Sequence, residues 1–156
     1  MKSKTTRFSD NVSVSNKKAS FNYVLIEKLE VGIELKGSEI KSIRKGQVSL
    51  QEAHCVVLSG EIFVRSMNIA IYKESSINNH DPVRQRKLLL KKKEIERFRS
   101  KSEEKGLTII PTKLYITKRG IAKMEIALAK GKKLHDKRES MKKKEHEHEL
   151  KLIRLI

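Results

Sequence analysis

The chain has 156 residues, with 36 Lys and Arg against 19 Asp and Glu, which gives a formal net charge of +17. This length allows one domain with an appendage and excludes two full-sized domains. The charge far exceeds what solubility needs, so it indicates a polyanionic partner, with nucleic acid as the first candidate and an anionic membrane surface as the second. No apolar run approaches the roughly 18 residues that span a bilayer.

Residues 1–15 are polar and contain few large apolar side chains, which predicts a flexible N-terminal arm. From residue 16 to residue 129 the pattern is that of a folded domain rich in β-branched and alternating apolar residues. Pro111 indicates an edge position or a bulge. Six strands are predicted, at residues 21–27, 31–35, 53–58, 62–64, 107–117 and 121–129.

Two helices are predicted within the same domain. A short one at residues 37–46 has Ser38 to cap its start and Gly46 to end it, and a longer one occupies residues 88–105. Residues 73–87 show no periodicity and are predicted to form a loop. Six short strands with two or three short helices predict a mainly β fold. We expect a six-stranded antiparallel barrel similar to the oligonucleotide-binding barrels, because closure removes exposed strand edges.

Residues 130–156 differ from the rest of the chain. They carry ten Lys or Arg against five Asp or Glu, and apolar residues are sparse before Leu150. Such a segment cannot bury enough surface to fold alone. We therefore expect a basic C-terminal tail that is disordered in isolation and becomes helical when it lies along an anionic groove.

The sequence offers no convincing set of catalytic or metal-ligating residues. Nucleotide-cradling glycine motifs are absent, and His146 and His148 lack a metal-ligand spacing. His80-Asp81 could form a catalytic pair, but a hydrogen bond that organises the loop is the favoured interpretation. Cys55, the only cysteine, is interpreted as a core residue in a reducing cytosol. We expect a cytoplasmic protein that is not an enzyme and has neither a metal nor a cofactor.

The basic residues fall into clusters, and because their excess is chain-wide we favour phosphate binding over a merely solvated surface. With three Tyr, four Phe and no Trp, few rings are left for stacking on bases, which favours recognition of a folded RNA by its shape. The clusters are Lys17-Lys18, then Arg84, Arg86 and Lys87, then Lys91-Lys92-Lys93, and finally Lys130, Lys132 and Lys133.

Five sequence blocks occur in order along the chain. They are Asn16-Lys17-Lys18-Ala19, Gly37-Ser38-Glu39-Ile40-Lys41-Ser42, Asp81-Pro82 followed by Arg86-Lys87-Leu88-Leu89, Lys105-Gly106-Leu107-Thr108, and Leu128-Ala129-Lys130-Gly131-Lys132-Lys133-Leu134-His135-Asp136-Lys137-Arg138. Together they resemble the small protein B family, the SsrA-binding proteins. The match runs from about Val14 to Lys144, and the last block is the most specific.

This resemblance implies a six-stranded oligonucleotide-binding-like barrel that binds the transfer-RNA-like domain of transfer-messenger RNA. Most of the implied contacts are cations that would hold phosphates. Glu30 would accept a hydrogen bond from a base edge or a 2′-hydroxyl, or orient a neighbouring cation. The implied RNA face comprises Asn16, Lys17, Lys18, Glu30, Lys41, Arg44, Lys87, Leu90, Lys130, Gly131, Lys132 and Lys133.

The resemblance also implies that the tail, here residues 134–156, enters the empty decoding centre and messenger channel of the small ribosomal subunit during ribosome rescue. His135 would stack on a ribosomal RNA base, and Asp136, Lys137 and Arg138 would support accommodation. The implied protein is a monomer, one per RNA, with GTP-bound elongation factor Tu as an indirect partner through the charged RNA. A ribosomal structural protein and a general structured-RNA binder remain alternatives. The apolar end, Leu150–Ile156, could pack on the barrel or on a ribosomal protein.

Overall fold

The computed structural model describes residues 12–75 and 79–155, so most of the predicted arm lies outside it. No helix within these ranges is long and apolar enough to cross a membrane. The described residues form nine strands and four helices: β1 Ser13–Ser15, α1 Lys17–Asn22, β2 Tyr23–Ile33, α2 Gly37–Arg44, β3 Val48–Ser49, β4 His54–Leu58, β5 Glu61–Arg65, β6 Asn68–Ile69, β7 Arg86–Leu89, α3 Lys92–Lys105, β8 Thr108–Ile116, β9 Ala122–Gly131 and α4 Leu134–Arg154.

Seven strands form one antiparallel sheet in the order β1-β8-β4-β5-β7-β2-β9, and β9 pairs again with β8. The strands from β8 round to β9 therefore form a barrel-like ring of six, and β1 is added to the ring along β8. A separate two-stranded sheet joins β3 and β6. The mainly β, antiparallel fold is confirmed, and six is the number of strands in the ring.

The interior of the ring is aliphatic. Strand β2 alternates strictly near its end, so Val31 and Ile33 face inward while Lys28 and Glu30 face outward. Phe98 of α3 covers the core and is fully buried. Each aliphatic side chain that is fully buried stabilises the fold by about 1.5–3 kcal/mol. The other fully buried side chains of this kind include Ile62, Val64, Leu88, Leu114, Met124, Ile126 and Leu128.

Two of the predicted strands, at residues 21–27 and 31–35, are one continuous strand in the structure. The prediction left residues 28–30 between them, but β2 runs through these residues without a break. A Cβ atom on Gly32 would lie 3.1 Å from the Cβ of Leu89, on the neighbouring strand β7. Glycine is therefore required here by the close approach of two strands and not by a turn.

Strand β7 occupies positions that were predicted as the end of a loop and the start of a helix. Its burial alternates, with Arg86 and Leu88 fully buried and Leu89 exposed, which is a strand pattern too short to be distinguished in the sequence. Helix α3 begins only at Lys92, where the Glu94 carboxylate accepts a hydrogen bond from the Lys91 amide at 2.9 Å. The prediction of a helix from residue 88 was wrong by four residues.

The predicted boundaries of the arm and the tail also shift. Ser13–Ser15 pair with β8, so the arm predicted for residues 1–15 extends too far. Strand β9 continues to Gly131, which pairs with Tyr23, so the folded domain extends two residues past its predicted end at residue 129. Helices α1, α2 and α3 are three short helices, within the two or three that were predicted, and α4 lies in the predicted tail.

Candidate nucleic-acid interface

Asn16 is a structural cap that holds α1 against the ring. Its Oδ1 accepts from the Ala19 amide at 3.3 Å, and its Nδ2 donates to the carbonyl of Pro111 at 2.9 Å. The side chain is only 8 % exposed. Both polar groups of Asn16 are thus used within the protein, and their effect is to present Lys17 and Lys18, which are exposed, on the surface of α1. A direct contact between Asn16 and RNA stays a prediction.

Strand pairing brings two distant basic segments together. Tyr23 directly follows α1 and pairs with Gly131, and the Lys132 amide donates to the carbonyl of Asn22 at 2.9 Å. The exposed lysines of α1 therefore lie beside the end of β9, although more than 100 residues of sequence separate them. We call the resulting group the junction cluster: Lys17, Lys18, Lys130, Lys132 and Lys133.

The members of the junction cluster are not equivalent. Lys130 and Lys133 are exposed. Lys18 is exposed as well and pairs with Glu52 at 2.8 Å, a surface ion pair that a phosphate could replace at little cost. Lys132 is half-buried and uses its ammonium group within the protein, where it donates to the carbonyl of Ser20 at 2.9 Å and to Oγ of Ser140 at 2.7 Å.

A buried ion pair fixes α2, the helix that carries Lys41 and Arg44. Glu39 and Arg86 are both fully buried, and the Glu39 carboxylate accepts from Arg86, from Arg84 and from the Lys36 amide. Burial acts to raise the pKa of Glu39, but the hydrogen bonds from Arg84, the Lys36 amide and Arg86 outweigh it and hold this pKa below its ordinary value. Glu39 is therefore ionised and neutralises the buried Arg86.

Arg86 is consequently unavailable to a partner, although the sequence grouped it with Arg84 and Lys87 as a basic cluster. Its guanidinium also donates to the carbonyls of Met67 and Arg84, each at 2.9 Å. Four or more hydrogen bonds in a dry interior give Arg86 a structural role, which is to tie residues 81–86 to α2.

His80 joins α2 to the same segment. Its Nε2 lies 2.9 Å from the carbonyl of Ile69, and its Nδ1 lies 2.9 Å from Oγ of Ser38. Because a carbonyl only accepts, Nε2 carries the proton, and in the neutral ring Nδ1 accepts from the Ser38 hydroxyl. The loop-organising role predicted for His80 is confirmed. The cap predicted for Ser38 was wrong, because Glu39 caps the helix in its place.

The outer side of α2 presents cations next to an aromatic ring. The ammonium groups of Lys41 and Lys45 lie 5.4 and 4.8 Å from the centre of the Tyr72 ring. Arg44 is half-buried, and its guanidinium approaches the carbonyl of Gly120 at 3.5 Å. Lys45 was not among the residues predicted for this surface, although its position one helical turn after Lys41 could have revealed it.

A surface cleft of about 480 Å³ brings together Glu30, Lys87 and Leu90, three residues that the resemblance implicated. Lys87 lies 3.5 Å from Glu61, and Leu90 is half-buried against the core. Burial of the Tyr115 phenol, and then its hydrogen bond to Glu30, raise the pKa of Tyr115 to about 12. The cleft holds carboxylates as well as cations, so it differs in chemistry from the junction cluster.

These groups lie at opposite ends of the β2–β9 ladder. Gly120 and the cleft residue Lys123 lie near the start of β9, whereas Lys130 and Gly131 lie at its end. The ten residues of β9 span about 30 Å at the usual rise of a strand. The structure thus places the implied RNA-binding residues on an elongated surface and does not gather them into one pocket.

Helix α4 forms the tail, and its first turn carries the implied ribosome contacts. Lys137 is half-buried and Arg138 is exposed, whereas the side chains of His135 and Asp136 lie outside the described residues. The apolar end of the helix is exposed, with Leu152 at 51 % and Leu155 at 83 %, and it does not pack on the ring.

Two other sets of side chains, a cysteine and a pair of histidines, have the chemical types that reactive or metal sites use. Cys55 is a buried core residue, as predicted, and burial raises the pKa of its thiol. His146 and His148 are exposed on α4. Among residues 12–75 and 79–155, no group of three or more His, Cys, Asp or Glu side chains is placed to hold a metal ion.

Comparisons with known proteins agree on one family. A family model described as "SmpB protein" matches residues 13–154. The chain is 53 % identical over 145 residues to an SsrA-binding protein of Cytophaga hutchinsonii, and the alignment covers 93 % of this chain and 95 % of that protein. It is 51 % identical over 134 residues to the SsrA-binding protein of Thermosipho melanesiensis, with 86 % and 91 % covered.

A solved structure described as "tmRNA-SmpB: a journey to the center of the bacterial ribosome" is also similar. It superimposes with a TM-score of 0.68 at 41 % identity, covering 83 % of this chain and 94 % of that one.

Proposed function

This chain belongs to the SmpB family, and from that premise we propose that it binds SsrA RNA, the transfer-messenger RNA, and brings it to stalled ribosomes for trans-translation. The observation that carries the proposal is the junction cluster. Strand pairing brings α1, the six-residue helix that carries Lys17 and Lys18, to the end of β9 that carries Lys130, and the tail follows directly after Lys133. One end of the molecule thereby offers a phosphate-binding surface that continues into a basic helix.

Phosphate contacts supply the affinity in this proposal. Six cations in the junction cluster and on α2 are exposed: Lys17, Lys18, Lys41, Lys45, Lys130 and Lys133. Lys18 pairs with Glu52 at 2.8 Å and Lys45 with Glu74 at 3.0 Å, and a phosphate could replace either surface ion pair at little cost. Each phosphate neutralised releases about 0.7–0.9 of a counterion, so the plot of log K against log salt should have a slope of about −4 to −5. A slope of this size means that RNA binding weakens steeply with salt.

The cleft supplies specificity. Glu30 repels phosphate, but a carboxylate accepts a hydrogen bond from a ribose 2′-hydroxyl or from the donor edge of a base. The Tyr115 phenol interacts with the Glu30 carboxylate, which contributes to the raised pKa of Tyr115. Lys87 and Leu90, on the same cleft, would contact the backbone and a sugar face. We assign this region to recognition of a folded RNA, the transfer-RNA-like domain.

The tail supplies the ribosome contact. The 21 residues of α4 extend about 30 Å, which is long enough to occupy the decoding centre and the start of the messenger channel. His135, Asp136, Lys137 and Arg138 lie in its first two turns, closest to the RNA-binding body. The proposed protein performs no catalysis itself, acts in the cytoplasm as a monomer, and meets GTP-bound elongation factor Tu only through the charged RNA.

The test is to purify the full chain at moderate salt and to sequence the RNA that is recovered with it. We expect strong enrichment of transfer-messenger RNA, which a Lys17→Ala/Lys130→Ala variant should lose. An Arg97→Ala/Arg99→Ala variant on α3 is matched in charge and should retain it, because both arginines pair with glutamates of the protein. Recovery of random RNA would indicate a general structured-RNA binder. A stoichiometry near one copy of the protein per ribosome would favour a ribosomal structural protein.

A truncation separates the two halves of the proposal. Because β9 continues to Gly131 and the Lys132 amide bonds to Asn22, the chain should be cut after Lys133 so that the ladder stays intact. We expect this variant to bind the RNA with nearly unchanged affinity and to lose rescue of stalled ribosomes in a reconstituted translation assay. Loss of both activities together would contradict a division between an RNA-binding body and a ribosome-binding tail.

A further inference from the structure

Tyr72 is a buried aromatic residue that lies apart from the aliphatic core. It is 9 % exposed, yet it belongs to neither of the two clusters of core side chains in the described part of the chain. Its ring lies against the outer side of α2, where the ammonium groups of Lys41 and Lys45 are 5.4 and 4.8 Å from the ring centre. Two cations of the surface therefore share one aromatic ring.

Hydrogen bonds hold the backbone of Tyr72 in place. The side chain of Asn79 accepts from the Tyr72 amide at 3.2 Å and donates to the Tyr72 carbonyl at 2.9 Å. Two residues before Tyr72, the Ala70 amide donates at 3.0 Å to the carbonyl of Gln47, which lies just after α2. Tyr72 is thus fixed relative to the same helix that carries the two lysines.

The two lysines need a partner of this kind because they repel each other. Lys41 and Lys45 are four residues apart, and like charges at this spacing destabilise a helix. The face of a tyrosine ring attracts an ammonium group, and Glu74 compensates Lys45 further through an ion pair at 3.0 Å. The ring thereby keeps two ammonium groups close together at the surface of the protein.

We propose that Tyr72 is a positioning residue for RNA binding, whose ring holds the ammonium groups of Lys41 and Lys45 where both can meet phosphates. The proposal rests on the proposed function, in which α2 contributes phosphate contacts. Immobilising long side chains on binding is costly, and a ring that holds them beforehand removes part of that cost. Tyr72 is too buried to offer its own face to a base, so its effect on binding passes through the lysines.

Nuclear magnetic resonance of the free protein tests the contact without any RNA. Protons near the face of an aromatic ring are shifted upfield, so the Hε signals of Lys41 and Lys45 should lie upfield of those of Lys93, an exposed lysine on α3. Tyr72→Leu should abolish this shift, and Tyr72→Phe should retain it because the ring remains. Hε signals that match those of Lys93 in the unsubstituted protein would overturn the proposal.

A double-mutant cycle of RNA affinity separates positioning from support of the fold. With the transfer-RNA-like domain as the probe, Tyr72→Leu should weaken binding about three- to tenfold, and Tyr72→Phe should bind like the unsubstituted protein. In a Lys41→Met/Lys45→Met background, Tyr72→Leu should cause no further loss, because the side chains that the ring positions are gone.

The salt dependence of the same binding gives a further readout. Tyr72→Leu keeps both charges, so the slope of log K against log salt should stay unchanged. Lys41→Met/Lys45→Met should reduce the slope by about 1.4–1.8, the loss of two phosphates. A slope reduced equally in Tyr72→Leu would contradict a role in positioning alone.

Two affinity results would also overturn the proposal. One is an equal loss from Tyr72→Leu in both backgrounds, which would mean that Tyr72 supports the fold or stacks on a base. The other is unchanged or tighter binding by Tyr72→Leu. If the purified protein carried only random RNA, the proposed function would fail, while the Hε shifts and the same cycle with an unrelated structured RNA would still decide the role of Tyr72.

Discussion

Replacing Glu39 by Ala removes a carboxylate that faces two arginines between α2 and residues 81–86. Arg86 is fully buried and would keep its hydrogen bonds to the carbonyls of Met67 and Arg84, but its charge would have no counterion. Removing one partner of a buried ion pair costs about 3–5 kcal/mol, because the other charge remains in the low-dielectric interior. The free energy of unfolding of a domain is only about 5–15 kcal/mol, so the variant should be strongly destabilised.

Urea denaturation at neutral pH measures this loss. With a denaturant slope of about 2 kcal/mol/M, the midpoint should fall by about 1.5–2.5 M at an unchanged slope. Glu96→Ala is the matched control, because Glu96 pairs with Arg99 on the exposed face of α3 and its removal should leave the midpoint nearly where it was.

A double variant, Glu39→Met/Arg86→Met, tests the cause of the destabilisation. It replaces the ion pair by apolar side chains of similar volume, so it should cost much less than the sum of the two single substitutions. An unpaired buried charge is not the cause if Glu39→Ala shifts the midpoint no more than the Glu96 control, or if the effects of the two substitutions are simply additive in the double variant.

Three further predictions follow from single contacts. The folded-state pKa of Glu39 lies below its ordinary value of 4.5. Its contribution to stability is therefore complete above pH 4.5 and is lost as the pH falls through the lower folded-state pKa. When the free energy of unfolding is measured as the pH is lowered, it should fall less in Glu39→Gln than in the unsubstituted protein. Gly32→Ala forces a Cβ to 3.1 Å from β7 and should cost about 1–3 kcal/mol in urea melts, whereas Gly37→Ala, with nothing within 4 Å, should cost nothing. Tyr115→Phe releases Glu30 and should weaken RNA binding about 3- to 10-fold at an unchanged salt slope; an unchanged affinity would remove Tyr115 from the recognition surface.

The sequence was informative wherever one local pattern had one structural solution. Alternating apolar residues predicted the strands of the β8–β9 hairpin, and the helix predicted to end at residue 105 does end there, with Gly106 in the left-handed region at φ of 61°. Where the deciding contact was distant, the sequence was ambiguous. Residues 28–30 were left between two predicted strands, and only their pairing with β9 shows that the strand is continuous. The leucines of β7 fit the start of a helix until the ring closes around them.

The same limit applied to the candidate site. Residue types and spacing were enough to identify basic segments and to carry the family resemblance. They could not show that Arg86 lies in the interior with Glu39, 47 residues away, or that Asn16 is a helix cap. A charged residue in a surface cluster and a charged residue in a buried pair look alike in a sequence, because burial is decided by partners that are remote along the chain.

Burial therefore changes how the net charge of +17 should be converted into RNA affinity. Arg86 is neutralised internally, and Lys132 is held by Ser20 and Ser140. Of the arginines of α3, Arg97 pairs with Glu27 of β2 and Arg99 with Glu103 of its own helix. If every excess charge met a phosphate, the salt slope would be near −12 to −15 with about 0.7–0.9 counterions each. The six open cations predict about one third of that. A measured slope near the smaller value would mean that defined clusters bind the RNA, and one near the larger value would mean that the whole surface acts as a polycation.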